Sequence, residues 1–206
     1  MAAQRDWLVV FARAPELGRV KTRLAAEVGA ERALAIYREL ASRVLDAVRD
    51  GPHQIVIAHS PADAEPGMRA WLGDAFAYAP QCDGNLGARM THAFASTLEA
   101  GAERVVLIGT DCPTIGAETV AAAFAALDEA DVVFGPALDG GYYLVGARKL
   151  HPLLFQAVPW SSERTLAVSL DLARRAGLRL ALLPSMRDVD TAADWRAYEK
   201  ERSSSG

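Results

Sequence analysis

The chain carries little that would staple it, anchor it or coat it with charge. Of its 206 residues only two are cysteine, Cys82 and Cys112, and they lack CxxC spacing. That excludes a disulfide framework and a paired-cysteine zinc site. No apolar run approaches the roughly 18 residues of a membrane span, and one of the longest, 120–127, has the period of a helix. The apolar stretch 7–12, between Asp6 and Arg13, is too short for the core of a secretory signal. A soluble, cytoplasmic protein is therefore expected. Positive charge is not in excess either: 22 Lys and Arg stand against 26 Asp and Glu, a net charge of −4. A duplex binder needs a basic stripe, so neither nucleic acid nor membrane is an expected partner. There is no G-x-S-x-G and no Cys–His nucleophile pair, which argues against a covalent hydrolase. His53, His59, His92 and His151 lack ligand spacing.

What is present is an alternation. Short apolar runs at 7–12, 54–60, 75–79, 104–109, 131–137, 142–146 and 179–184 read as strands. Most are continuous rather than alternating, as in sheets covered on both faces. Between them, segments 31–50, 86–100, 116–129 and 162–176 place apolar residues three and four apart, as core-facing helices do. The last stops before Gly177, a natural residue after a helix C-cap. Repeated β-α-β units imply an α/β fold with a mostly parallel sheet of about seven strands and helices on both faces. Only residues 138–141 separate the runs 131–137 and 142–146. A parallel crossover takes a dozen residues or more, so one of those two strands should run antiparallel. The length suits one domain, over residues 1–202, followed by a disordered tail at 203–206.

Open α/β sheets bind ligands at the carboxyl ends of their strands. After the first strand, Arg13, Arg19, Lys21 and Arg23 place four cations in eleven residues, with Gly18 between them, in a loop that feeds a helix. Such a loop suits an anion, although it has neither Walker nor dinucleotide-binding spacing. A solvated basic loop would read the same way. After the fourth strand come Thr110 and Asp111. An aspartate there can reach a divalent metal, or Asp111 or Thr114 can simply cap the next helix. The cluster Asp188, Asp190 and Asp194 follows the last strand, where Asp190 or Thr191 could equally cap a terminal helix; in a parallel sheet two strand ends can lie side by side, which would pair Asp190 with Asp111 as metal ligands. In Asp139-Gly140-Gly141-Tyr142-Tyr143 the glycines permit close backbone approach and the tyrosines offer a ring face, or the glycines merely close a hairpin. Gln81 to Met90, with Gly84 and Gly87, enters a helix as another amide-presenting stretch.

In order, FARAPELGRVKTRL, QCDGNLGARM, GTDCP, DGGYYLVG, VPWS and DVDT resemble a bacterial family described as selenodomain-associated or arsenosugar-biosynthesis glycosyltransferases. These belong to the nucleotide-diphospho-sugar transferase (GT-A) superfamily, and the resemblance spans about residues 7–195. It implies that Ala12, Arg13, Gly18, Lys21 and Arg23 cradle nucleotide phosphates, with Lys21 the main phosphate ligand. Gln81, Gly84 and Gly87 would lie by the nucleobase and ribose, and Thr110 would join the nucleotide contacts. Asp111 would be the metal-binding acid, joined by Asp190 as in related cytidylyl- and guanylyltransferases. Gly140, Gly141, Tyr142 and Trp160 would face the substrate. Two departures stand out: only one acid occupies the D-x-D position, and Arg13 stands where lysine is more usual.

The implied enzyme is a glycosyltransferase using Mg²⁺ or Mn²⁺, a nucleotide-sugar donor and a small-molecule acceptor. Lys21 and Asp111 would be catalytic, and Asp139, ahead of Glu163, would be the base an inverting mechanism needs. The alternative is a nucleotidyltransferase that joins a nucleoside triphosphate to a phosphorylated metabolite and releases pyrophosphate. A catalytically inert module built on the same fold would show no metal-dependent nucleotide binding.

Overall fold

A computed structural model describes residues 5–204, and the side chain of Ser204 lies outside that description. Seven strands form one sheet: β1 (Asp6–Arg13), β2 (Gln54–Ser60), β3 (Ala77–Pro80), β4 (Arg104–Ile108), β5 (Val132–Pro136), β6 (Tyr142–Ala147) and β7 (Leu180–Leu182), in the order β3-β2-β1-β4-β6-β5-β7. β6 is antiparallel to both β4 and β5 and every other pairing is parallel. The short link predicts this reversal, because residues 137–141 leave no room for a crossover helix.

The helices are α1 (Thr22–Val28), α2 (Ala30–Val48), α3 (Glu65–Leu72), α4 (Leu86–Glu99), α5 (Ala117–Ala126), α6 (Leu153–Gln156), α7 (Thr165–Arg175) and α8 (Ala192–Ser204). One face of β1 presents Leu8 and Val10 to Val44, Val48, Val120 and Phe124 of α2 and α5. The opposite face presents Val9 to Met90 and Phe94 of α4. The alternation follows from the period of two along a strand. Each fully buried Leu, Val, Ile or Phe is worth about 1.5–3 kcal/mol, so this two-sided core holds the strand ends in place.

A third cluster matters more for function. Leu24 of α1, Ile36 and Leu40 of α2, and Ala192, Trp195 and Tyr198 of α8 pack together. This knot joins the segment after β1 to the carboxyl-terminal helix. Helices α3 and α6 have no counterpart in the sequence reading, since eight and four residues are too few to display a period. Helix α8 runs through Ser203 and Ser204, where a tail was expected, and residues 205–206 lie outside the described region. Gly177 follows the α7 C-cap with φ 69, as expected. No helix among the described residues is long and apolar enough to cross a membrane.

Candidate active site

Strands β1 and β4 are parallel neighbours, so the segments that leave them, from Arg13 and from Asp111, emerge side by side. Arg13 is pinned by Tyr37 of α2. The Tyr37 hydroxyl donates to the Arg13 carbonyl at 2.7 Å and accepts from the Arg13 amide at 2.8 Å. Burial, chiefly, raises the Tyr37 pKa to about 12, so the hydroxyl stays protonated and keeps both bonds.

Asp190 reaches this place by a route the sequence does not suggest. Strand-end adjacency was the expectation, but β7 lies at the sheet edge with β5 and β6 between it and β4. The chain instead crosses the carboxyl edge of the sheet, tied down stepwise. Leu183 N donates to Phe134 O at 2.9 Å, Met186 N to Pro136 O at 3.0 Å, and Val189 N to Asp111 O at 2.9 Å. The last bond sets the two acidic segments against each other.

Neither Asp111 nor Asp190 spends its carboxylate on a helix cap. Thr191 and Asp194 form a reciprocal cap at the start of α8: Asp194 N donates to Thr191 Oγ1 at 3.2 Å, and Thr191 N to Asp194 Oδ2 at 2.9 Å. The Asp190 amide also donates to Asp194 Oδ2 at 3.3 Å, and its carboxylate takes no part in the cap. The N-cap of α5 is Gly116, with no side-chain cap, so neither Asp111 nor Thr114 serves there.

Both acids meet Lys21. Its ammonium lies 2.6 Å from Asp111 Oδ1 and 2.9 Å from Asp190 Oδ1, and it donates to Val189 O at 2.5 Å. An ammonium has three protons, so all are engaged. The Lys21 side chain is only 4% exposed, whereas those of Asp111 and Asp190 are 49% and 41% exposed. Here Lys21 clasps the two acids, an arrangement that the expected phosphate role does not describe. Burial pulls its pKa down, but the attraction and hydrogen bonds of Asp111 and Asp190 outweigh this, and the net shift is upward. Lys21 also adopts a left-handed backbone (φ 47, ψ 48), unusual outside glycine.

A cavity of about 260 Å³ opens over this clasp, lined by Arg13, Thr22, Arg23, Tyr37, Asp111 and Asp190 among others. Arg23, 70% exposed, lies 3.9 Å from Asp190. Five of the anticipated residues (Arg13, Lys21, Arg23, Asp111 and Asp190) therefore converge here. A second cavity, of about 240 Å³, lies beside Asp111 and is lined by Thr110, Tyr142, Phe11, Met90 and Asp188 among others. Burial first, then the negative charges of Asp111, Asp139 and Asp190, raise the Asp188 pKa to about 7.

The remaining expected residues have other surroundings. Ala12 is a buried core residue of β1. Gly18 makes a positive-φ turn with open space around it. Gln81 turns its amide inward, donating to Ala58 O at 2.7 Å, and it lines a separate cavity between α4 and the sheet edge. Gly84 has φ +115, a turn requirement. A Cβ on Gly87 would stand 2.0 Å from Phe155 O, so the packing of α4 on α6 requires that glycine. Trp160 stands behind Tyr142, ring centroids 6.3 Å apart, and does not line the second cavity. Gly140 abuts the Glu163 backbone. Asp139 is exposed and accepts from Gly141 N at 2.8 Å, closing the β5–β6 turn. Sequence reasoning missed Tyr37 and Asp188. Tyr37 lay within a helical apolar pattern, and Asp188 was visible only as one acid in a cluster.

Among the described residues no group of three or more His, Cys, Asp or Glu forms a ready-made metal cage. Magnesium seldom has one, being held by one or two carboxylates together with substrate phosphates. Two half-exposed carboxylates converging on one point, where an ammonium already satisfies both, fit that donor set.

A family model described as "Uncharacterized protein conserved in bacteria (DUF2064)" matches residues 12–162. A phosphoenolpyruvate guanylyltransferase from Chloroflexus aggregans (strain MD-66 / DSM 9485) is 30% identical over 190 residues, 86% of this chain and 90% of the relative. A crystal structure from Desulfovibrio desulfuricans G20, provisionally described as a nucleotide-diphospho-sugar transferase, is 35% identical with a TM-score of 0.91, covering 95% of this chain and 86% of that one. Rv0371c from Mycobacterium tuberculosis H37Rv, in complex with manganese, shares the fold at 19% identity and a TM-score of 0.58, covering 95% of this chain and 98% of its own. Fold and relatives agree with the resemblance at superfamily level, and the chain is an enzyme of the nucleotide-dependent transferases.

Proposed function

The chain belongs to the DUF2064 family, and from that premise we propose that it is a metal-dependent nucleotidyltransferase. It would join a nucleoside triphosphate to a small phosphorylated acceptor and release pyrophosphate. The observation that carries this reading is one cavity lined by Arg13 and Arg23 together with Asp111 and Asp190. The guanylyltransferase relative supports it over sugar transfer, the first expectation from the resemblance.

In this reading an acceptor phosphate oxygen attacks the α-phosphorus of the triphosphate. The bond from that phosphorus to the bridging oxygen breaks, and pyrophosphate leaves. A phosphate monoester has a second pKa near 6, so the nucleophile is already deprotonated at neutral pH and needs no carboxylate base. Asp139, engaged in its turn, is then free of a role in proton transfer. Arg13 and Arg23 hold phosphate oxygens where charge develops, the kind of fixed electrostatic stabilisation that phosphoryl transfer depends on. Lys21 keeps Asp111 and Asp190 converged. Those two carboxylates would hold Mg²⁺ or Mn²⁺, which when bound supplies Lewis-acid charge neutralisation to the phosphates. Tyr37 fixes the backbone that carries Arg13.

The test is pyrophosphate release from each of the four nucleoside triphosphates with a panel of phosphomonoesters and Mg²⁺. Release that depends on both acceptor and triphosphate supports the reading. Transfer from a nucleotide sugar with no pyrophosphate release overturns it.

A further inference from the structure

The two cavities share one wall, the Asp111 carboxylate, but differ in character. The first is lined by the cations Arg13, Lys21 and Arg23. The second has no Lys, Arg or His among its described lining residues. Its surfaces are Phe11, Met90, Tyr142 and Leu144 with Leu86 at the rim, and the carboxylates facing it are Asp111 and Asp188. A phosphate bridging the shared wall would be met by cations on one side only. The rest of the acceptor would pass to the other.

We infer that the acceptor is a phosphomonoester whose organic body is uncharged and apolar, seated against Phe11, Met90 and Tyr142. This rests on the nucleotidyltransferase reading and deepens it. A second anionic group, such as a carboxylate, would lose hydration there with no cation among the described lining residues to pair with, which is disfavoured. An aromatic or branched aliphatic body gains by burial against the rings and aliphatic side chains. At about 240 Å³ the cavity takes one ring or a short branched chain, not an oligomer. In this respect the chain would part from its relative, whose named substrate, phosphoenolpyruvate, carries a carboxylate beside its phosphate.

Isothermal titration of the full chain in magnesium buffer, with and without a non-hydrolysable GTP analogue, compares phenyl phosphate with phosphoenolpyruvate. Phenyl phosphate is expected to bind at least tenfold more tightly. Leu86→Arg places a cation at the rim on a side chain that is already 43% exposed, so the fold is preserved. That variant is expected to shift the preference toward phosphoenolpyruvate by tenfold or more. Equal or tighter binding of phosphoenolpyruvate by the unaltered protein, weak binding of both, or an unmoved preference in Leu86→Arg would overturn the inference. Tight phenyl phosphate binding without pyrophosphate release from any triphosphate would instead leave the cavity assignment standing and remove the nucleotidyl reading.

Discussion

Replacing Lys21 by methionine removes the ammonium and keeps most of the buried stem. Two charge-assisted hydrogen bonds, to Asp111 and Asp190, and one to the Val189 carbonyl disappear. Bonds to charged groups are worth about 1.5–3 kcal/mol each, and breaking a buried pair costs about 3–5 kcal/mol. Both acids are roughly half exposed, so they rehydrate and the loss is discounted to about 2–4 kcal/mol. For a chain of this size that lowers Tm by roughly 5–15 °C. The unusual backbone at residue 21 gives no relief, because methionine is as poorly suited to it as lysine. Guanidinium and thermal unfolding at pH 7 in EDTA measure the effect. Repeating Lys21→Met in an Asp190→Asn background completes a double-mutant cycle, in which the second cost should fall by at least 1 kcal/mol. The sign with pH follows from the raised Lys21 pKa. The clasp contributes fully below the ordinary value of 10.5 and is lost as pH rises through the higher folded value. A loss under about 1 kcal/mol, or no coupling to Asp190, would refute the clasp.

Other consequences are as direct. Asp190→Asn should abolish metal-dependent pyrophosphate release while leaving the fold intact, because Thr191 and Asp194 still cap α8. Tyr37→Phe should raise KM for the triphosphate more than it lowers kcat, through a loosened Arg13, and destabilise by about 1–3 kcal/mol from the two lost partners. Gly87→Ala should cost about 2–3 kcal/mol, visible in the unfolding midpoint, since its Cβ would meet the Phe155 carbonyl. Asp188→Asn, assayed in EDTA, should stabilise by roughly 2–4 kcal/mol at pH 8 and hardly at pH 4. A carboxyl whose folded pKa is raised to about 7 costs stability progressively as pH climbs from its ordinary 3.8 toward that value.

Most of the sheet was legible because continuous Val- and Ile-rich runs carry their own signal, and loop length alone required that β5 or β6 be reversed, though not which of them. The pairing of Asp111 with Asp190 was also legible, but its cause was not. Strand adjacency suggested it, whereas the chain achieves it by crossing the ends of β5 and β6, held by backbone hydrogen bonds to β5 and to Asp111 that leave no mark in side-chain pattern. Lys21 was legible as a charge near the site, but its contacts were not, because spacing shows that a cation is near and not which acids close around it. Gly87 and Gln81 illustrate the same limit. A glycine needed for helix packing and an amide turned onto a carbonyl look identical in sequence to groups facing a ligand.

The most direct measurement is the metal-dependent stabilisation of the protein by nucleotides, comparing nucleoside triphosphates with nucleotide sugars in the unaltered chain and in Asp111→Asn. A ligand at a hundred times its Kd raises stability by about 2.7 kcal/mol, a clear shift in Tm. Stabilisation by a triphosphate in Mg²⁺ or Mn²⁺, lost in Asp111→Asn, is the predicted result. Stabilisation by nucleotide sugars alone, or triphosphate binding indifferent to both metal and Asp111, would contradict it.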